Sequence, residues 1–490
     1  MAFGQLTKRH LFANRYDTSW FSQLAEGLTE LADYSDLARL HVMAELKFRS
    51  PKGVHDVLPA DHQYLTYIKK AVRHRARQAG YKRIDPPIFE ERSLFERSIG
   101  SHTDIVEKEL FSVSRRGDSE TDYALRPEFT AGICRSYIEQ GMQELPQPVE
   151  FYAIGPCFRY DRPQKGRYRQ FHQFDFEVIG LSDPSIDAQL IHVLVKIFND
   201  LKILNRLTLQ MNNIGAPDDR TTYVQALQDY FTGKERNLPE QDRERLKHNP
   251  LRLFDSKEED TQILLKLAPT MEQFIGEDSK KYHSTLLEYL QELGISYIKN
   301  PSLVRGLDYY NQTVFEFWDS STGAQNAVGG GGRLDFLIEQ LGGKSTPAVG
   351  FAVGMERVMW HMREAGVKAP NKDQVDVFVA QLGPEAKKKC LSLVSQLRDL
   401  GIHTVGALGE ASLKSQMRLA DRFQARYTLL LGQLEVKEGT VILRDMTAGK
   451  QKQIPFDKAI PEVLKLIGKD NLDVYSITDK FGEFADPGEG

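Results

Sequence analysis

Two stretches of strict alternation, residues 151–160 and 172–178, stand out in the hydrophobic pattern and predict a β-hairpin. Before the turn, Phe151, Ala153, Gly155, Cys157 and Arg159 share one face, and Tyr152, Ile154, Phe158 and Tyr160 the other. After it, Gln173, Asp175 and Glu177 oppose His172, Phe174, Phe176 and Val178. A bulky apolar face of period two implies a sheet packed on one side, which leaves Gln173, Asp175 and Glu177 either solvated or lining a cleft. Upstream, apolar residues at helical spacing predict a helix over 61–78, stopped by Gly80. Residues 81–90 read as a strand broken by Pro86-Pro87, which belongs at an edge, at an interface or in a loop. A short strand at 122–127 precedes a helix over 131–140, with Thr130 placed as its N-cap or with its hydroxyl free for a ligand.

Beyond the hairpin, 185–204 is helical, and 213–302 carries mostly helical, charged patterning that reads as an insertion. Strand character returns at 304–310 and 313–318, followed by the run Gly329 to Gly332, a helix over 334–341, a strand of small residues at 348–354 and a helix from Met355 to about 365. The glycine run is no nucleotide fingerprint, because Asp335 stands where GxGxxG needs its third glycine and Ile338 where a P-loop needs its first. Close backbone approach inside a sheet and a flexible hairpin turn both satisfy the spacing. Residues 368–372, with Pro370 and Asn371, read as a linker. After it strands and helices alternate: 375–382, 384–400, 402–405, 412–423, 426–431, 440–444 and a last helix. That order predicts a small α/β domain with a partly parallel sheet over 373–469.

The hairpin's turn holds the first candidate chemistry. Arg159, Arg162, Lys165, Arg167 and Arg169 put five cations into eleven residues, stiffened by Pro163 and turned by Gly166. A solvated tip is the plain reading of such a loop; coupled to a strand bearing Gln173 and Glu177, it also suits a polyanion clamp beside a small hydrogen-bonding ligand. Length and composition set the outer limits. A chain of 490 residues with 41% hydrophobic and 27% charged residues suits about three globular domains, and no apolar run approaches the ~18 residues of a membrane span. Three scattered cysteines, Cys134, Cys157 and Cys390, argue against a disulfide framework and suit a cytoplasmic protein, and no CxxC or HxxxH spacing suggests structural zinc. The net charge of −4 is segregated: 373–469 carries 15 Lys and Arg against 11 Asp and Glu, so the remainder stands at −8. A mildly basic terminal module is compatible with RNA. Residues 1–42 lack a secretory pattern, 20–40 could form a short amphipathic helix, and Met43-Ala-Glu-Leu-Lys reads as a fresh start, so 1–42 are expected to be an extension. Residues 470–490 read as a loosely held acidic tail.

Together these motifs resemble the class II aminoacyl-tRNA synthetases, and among them the histidyl-tRNA synthetases, over about 48–469. Residues 81–90 are similar to class II motif 1, Cys157-Phe-Arg159 through Glu177 to motif 2, and Gly350-Phe-Ala-Val-Gly-Met-Glu-Arg357 to motif 3. Arg305-Gly-Leu-Asp-Tyr-Tyr310 resembles the block that separates the histidine enzymes from the rest. The resemblance implies an α+β catalytic domain (43–367) with an antiparallel sheet flanked by helices, a helical insertion (about 213–302), an anticodon-binding domain (373–469) and a homodimer joined through motif 1. It also implies the activity: L-histidine is activated with ATP to the adenylate, with release of pyrophosphate, and then passed to the 3′ end of tRNA(His). By position, Glu128, Thr130 and Gln173 would hold the α-amino group, with Phe129 in the same segment. Arg305 would lie near the carboxylate and α-phosphate, Arg159 would grip the α-phosphate, and Arg167 and Arg357 the outer phosphates of a bent ATP. Phe171 and Tyr168 would border adenine, Asp161 would contact adenine or magnesium, and Glu177 and Tyr310, with Tyr309 beside them, would read the imidazole.

The reaction explains these residue types. A carboxylate must attack the α-phosphorus and expel pyrophosphate, so fixed guanidinium groups and Mg2+ carried by ATP supply the electrostatics, and no protein nucleophile or resident metal is expected. Phe129 stands where glycine is usual in the family, Leu334 where tyrosine is common and Asp161 where a longer glutamate is often found, which bears on the amino-acid pocket and on the adenine or magnesium contact. Two rivals remain: the synthetase-like regulatory subunit of ATP phosphoribosyltransferase, which needs neither a complete ATP clamp nor an anticodon module, and a class II synthetase for another amino acid.

Overall fold

The computed structural model describes residues 48–100, 103–114, 122–161, 166–319, 327–370, 374–407, 409, 412–468 and 472. All of the extension at 1–42, including the helix proposed at 20–40, the tip of the basic loop at 162–165 and nearly all of the acidic tail lie outside them. Two compact units divide the chain, Met1–Asp56 and Val57–Gly490; the described part of the first carries no helix or strand.

In the second unit the strands are, in chain order, Lys82–Arg83 (β1), Phe89–Glu91 (β2), Ser112–Val113 (β3), Tyr123–Leu125 (β4), Val149–Phe158 (β5), Gln170–Ile179 (β6), Leu207–Asn213 (β7), Tyr297–Lys299 (β8), Asn311–Asp319 (β9), Ala327–Arg333 (β10) and Ala348–Gly354 (β11). An eight-stranded sheet runs β1-β5-β6-β11-β10-β9-β7-β8. It is antiparallel except at its edges, where β1 pairs with β5 and β8 with β7 in parallel. Pro86 and Pro87 end the first strand, because proline offers no ladder N–H, and the chain re-enters a separate sheet ordered β2-β4-β3. Arg126 holds the turn by donating to the carbonyls of Pro86 at 2.5 Å and Pro87 at 3.3 Å.

Both faces of the large sheet are covered, which corrects the expectation of a sheet packed on one side. Tyr152, Ile154, Phe174, Phe176 and Val178 pack against the helices Pro59–Gln78, Pro184–Asp200 and Met355–Glu364. Ala153 and Cys157 on the opposite face join a second core with the helices Arg92–Ile99 and Thr130–Glu139. Gln173, Asp175 and Glu177 lie on that second face and are therefore buried. The strand expected at 304–310 is an irregular loop, and the chain leading into it is held by Asn212, which donates to the carbonyls of Leu303 at 2.9 Å and Pro301 at 3.2 Å. The glycine run is not a turn but the interior of β10, paired with β9 and β11. A side chain on Gly331 would overlap the Gly350 carbonyl, so the backbones approach too closely for any Cβ.

Within the segment read as an insertion, Tyr223, Leu227, Phe231, Leu246, Leu253 and Ile275 form a core of their own. The last helix of that segment, Glu277–Glu292, instead buries Leu286, Leu287 and Leu290 in the main core, and β8 extends the large sheet. Residues 375–472 build a second domain from Val377–Gln381 (β12), Thr404–Gly406 (β13), Tyr427–Leu431 (β14), Thr440–Asp445 (β15) and Gln451–Pro455 (β16). Its order, β13-β12-β14-β15-β16, is parallel for three strands and antiparallel after β14. Its two hydrophobic clusters draw on no residue before Val375. Cys134, Cys157 and Cys390 are free and buried.

Candidate active site

A cavity of about 530 Å³ opens over the second face of the sheet. Motif 2 supplies Arg159, Asp161, Arg167, Tyr168, Phe171 and Gln173 to its wall; the loop before β9 supplies Arg305, Tyr309 and Tyr310. Glu128 and Arg357 complete the predicted residues that line it. Phe129, Thr130 and Glu177 are not in the wall. Phe129 is 1% exposed and belongs to the second core, with the Arg126 guanidinium 4.1 Å from its ring centre. Leu334 also packs into that core.

The helix Thr130–Glu139 begins differently from expectation. Phe129 occupies the N-cap position, and the capping acceptor is the Glu128 carboxylate, which takes the amides of Thr130 at 2.6 Å and Ala131 at 2.9 Å. Thr130 is thus no N-cap; its hydroxyl donates to Glu177 Oε1 at 2.6 Å. Glu177 Oε2 is buried without a partner, as are both carboxylate oxygens of Asp175. Burial raises Glu128, against the pull of the two amides. Burial pushes Glu177 up to about 8, opposed by the Thr130 hydroxyl and assisted by Glu128, and it raises Asp175 well above the carboxylate range. Packed together, the three carboxyls disfavour one another's ionisation, and a cation beside them would offset that cost. Gly350 makes room for this arrangement, since a Cβ there would overlap the Glu177 carboxylate.

Some of the groups that hold the arginines, Glu316 and the Pro127 and Ala327 carbonyls, were not candidates in the sequence. Arg305 pairs with Glu316, whose other oxygen accepts the Trp318 indole N–H at 2.6 Å. Burial opposes the charge of Arg305, but Tyr310 and Glu316 outweigh it and keep the guanidinium firmly protonated. Arg159 donates to the Pro127 carbonyl at 2.9 Å and lies 5.6 Å from the Phe171 ring centre. Arg357 donates to the Ala327 carbonyl; burial, then repulsion from Arg167, lowers it to about 10. Arg167 pairs with Asp161 at 3.1 Å. Glu356, beside Arg357, accepts the His172 amide at 2.9 Å and its ring Nδ1 at 2.8 Å. Alternation along β9 puts Glu316 and Trp318 on one face, the one signal that could have marked this pair.

The cavity brings guanidinium groups together with buried acids and tyrosines, a set whose chemistry suits an anion beside a small hydrogen-bonding ligand. A largely antiparallel sheet carrying that cleft on motif 2 and motif 3 strands defines the catalytic domain of a class II aminoacyl-tRNA synthetase. Residues 53–358 match the family model described as Histidyl-tRNA synthetase, and 376–466 the model described as Anticodon binding domain. The chain belongs to the histidyl-tRNA synthetase family. A Dehalococcoides mccartyi protein named histidine-tRNA ligase is 42% identical over 420 residues, 86% of this chain and 100% of that one. An Acetivibrio thermocellus protein of the same name is 41% identical over 84% of this chain and 98% of its own. The crystal structure of apo S. aureus histidyl-tRNA synthetase superposes with a TM-score of 0.71 at 33% identity, covering 85% of this chain and 99% of that one.

Proposed function

We infer that this chain is a histidine-tRNA ligase: it joins L-histidine to ATP as histidyl-adenylate, releases pyrophosphate, and passes histidine to the 3′ end of tRNA(His). The observation that carries this reading is the convergence of Arg159, Arg305 and Arg357 with Glu128, Gln173 and Tyr310 on one cavity. Arg305 and Arg159 neutralise the attacking carboxylate and the α-phosphate as charge shifts between them, and Arg167 and Arg357 hold the outer phosphates. Phe171 and Tyr168 border adenine, and Asp161, bound to Arg167, steadies that guanidinium. Gln173, Glu128 and Thr130 serve the α-amino end, with Phe129 as packing behind them. Glu177 and Tyr310 serve the imidazole, Tyr310 from the cavity wall and Glu177 from behind it, with Tyr309 in support; a ligand that cannot hydrogen-bond leaves buried Tyr310 unmet at about 1–3 kcal/mol.

Among the described residues no cluster of three metal-ligating side chains occurs. Glu316 and Glu356 already have protein donors, so Mg2+ is best treated as arriving on ATP. No described helix is long and apolar enough to cross a membrane. Exposed Ile88 and Phe89 beside the Pro86-Pro87 turn support a homodimer through motif 1, and light scattering should give twice the 55.8 kDa of one chain. ATP/pyrophosphate exchange with each of the twenty amino acids tests the activity. Histidine alone should support exchange, and Arg305→Ala should abolish it; exchange with another amino acid, or none with histidine, overturns the reading.

A further inference from the structure

The loop that carries Tyr309 and Tyr310 has no ladder to fix its backbone, and one of its anchors comes from the insertion. Arg220, on the helix Pro217–Phe231, donates from Nη1 to the Asp308 carbonyl at 3.1 Å and to the Tyr310 carbonyl at 3.4 Å. Its Nη2 stands 3.9 Å from the Asp308 carboxylate. Asn249, also within the insertion, donates to the same carboxylate at 2.9 Å. On the catalytic side the Asp308 amide donates to the Ile99 carbonyl at 3.1 Å, and a side chain on Gly100 would overlap Asp308. Asp308 is thus pinned between the helix Arg92–Ile99 and the insertion, one residue before the two tyrosines that line the cavity.

We propose that Arg220 is a positioning residue for amino-acid recognition, a latch by which the insertion sets the placement of Tyr309 and Tyr310 without touching substrate. The proposal rests on the ligase reading above. A guanidinium that meets two carbonyls flanking Tyr309 and Tyr310 restricts both peptide planes at once, and a residue without those donors leaves the carbonyls to find water or move. The phosphate-binding arginines hang on other supports, Arg159 on Pro127, Arg357 on Ala327 and Arg305, though in the same loop, on Glu316, so the latch should act on histidine far more than on ATP.

Histidine-dependent ATP/pyrophosphate exchange by the full chain, with histidine and ATP varied separately, tests this. Arg220→Ala should raise KM for histidine about tenfold or more while the ATP KM stays within about threefold, with Arg220→Lys recovering part of the loss. Asn249→Ala, which leaves Arg220 in place, should raise the histidine KM in the same direction by less. That variant decides the matter if Arg220→Ala does not fold. A folded Arg220→Ala, or else Asn249→Ala, with unchanged histidine KM overturns the latch. A parallel rise for both substrates also overturns it, because it marks general loosening. An unaltered chain that shows no histidine-dependent exchange overturns the ligase reading instead, and the latch with it.

Discussion

Glu177 illustrates how burial of one acid ties stability to pH. Its carboxyl, at 4.5 in the absence of the fold, is pushed up to about 8 by burial. Over that interval the folded chain keeps a proton that the unfolded chain has given up, so stability is full below the lower value and falls as pH rises toward and through the upper one. Glu177→Gln cannot ionise and should lose less. Compared with the parent by urea midpoint, it should gain on the order of a few kcal/mol between pH 5 and pH 8; an equal gap at the two pH values would show that the acid is not titrating across this range. Glu177 was legible as a candidate from the hairpin's alternation, because period two assigns faces without reference to anything distant. Its position behind the wall, bonded to Thr130, was not legible, because that contact joins residues 47 apart in the chain.

Among the elements, Arg333 at the end of β10 is the joint that ties the sheet to two helices. It donates to Asp187 of the helix Pro184–Asp200 at 2.6 Å, to the Tyr282 hydroxyl of the helix Glu277–Glu292 at 2.8 Å and to Asp335 at 2.7 Å. The Arg333 and Asp187 side chains are both 0% exposed. Arg333→Ala therefore leaves a buried acid without its counter-charge and should destabilise by about 3–5 kcal/mol in chemical denaturation. A loss no larger than that of a surface substitution would rule out this role. The helices themselves were readable, since Pro59–Gln78 and Met355–Glu364 bury an apolar stripe at helical spacing. The loop at 304–310 was not readable: its apolar and aromatic residues resemble a strand, yet their burial is satisfied against a core while Arg220 takes the carbonyls of Asp308 and Tyr310.

At the scale of the molecule, the hydrophobic cores of 375–472 share no residue with those of the catalytic part, whose described clusters end at Val367. A chain ending at residue 370 should therefore keep a cooperative unfolding transition and histidine-dependent pyrophosphate exchange, and lose most of its charging of tRNA. Retained charging would place tRNA selection in the catalytic part; loss of exchange together with charging would show that the two parts fold as one. The change from helical and alternating patterns to strand-helix alternation after Pro370 predicts such a division, because domain class follows from the order of elements.

The sequence by itself determined the local periods, the motifs and their chemistry: which strands alternate, where prolines forbid a ladder, and which arginines could serve phosphate. These depend on neighbours within a few residues or on residue type alone. Tertiary structure decided what depends on distant partners. It turned the glycine run into a strand, because only its pairing with Gly350 and the β9 backbone leaves no space for a Cβ. It made Glu128 a helix cap, buried both faces of the sheet, and brought Glu316 and Trp318 behind Arg305. Such arrangements are set by packing and desolvation across the fold, and no window of sequence contains them.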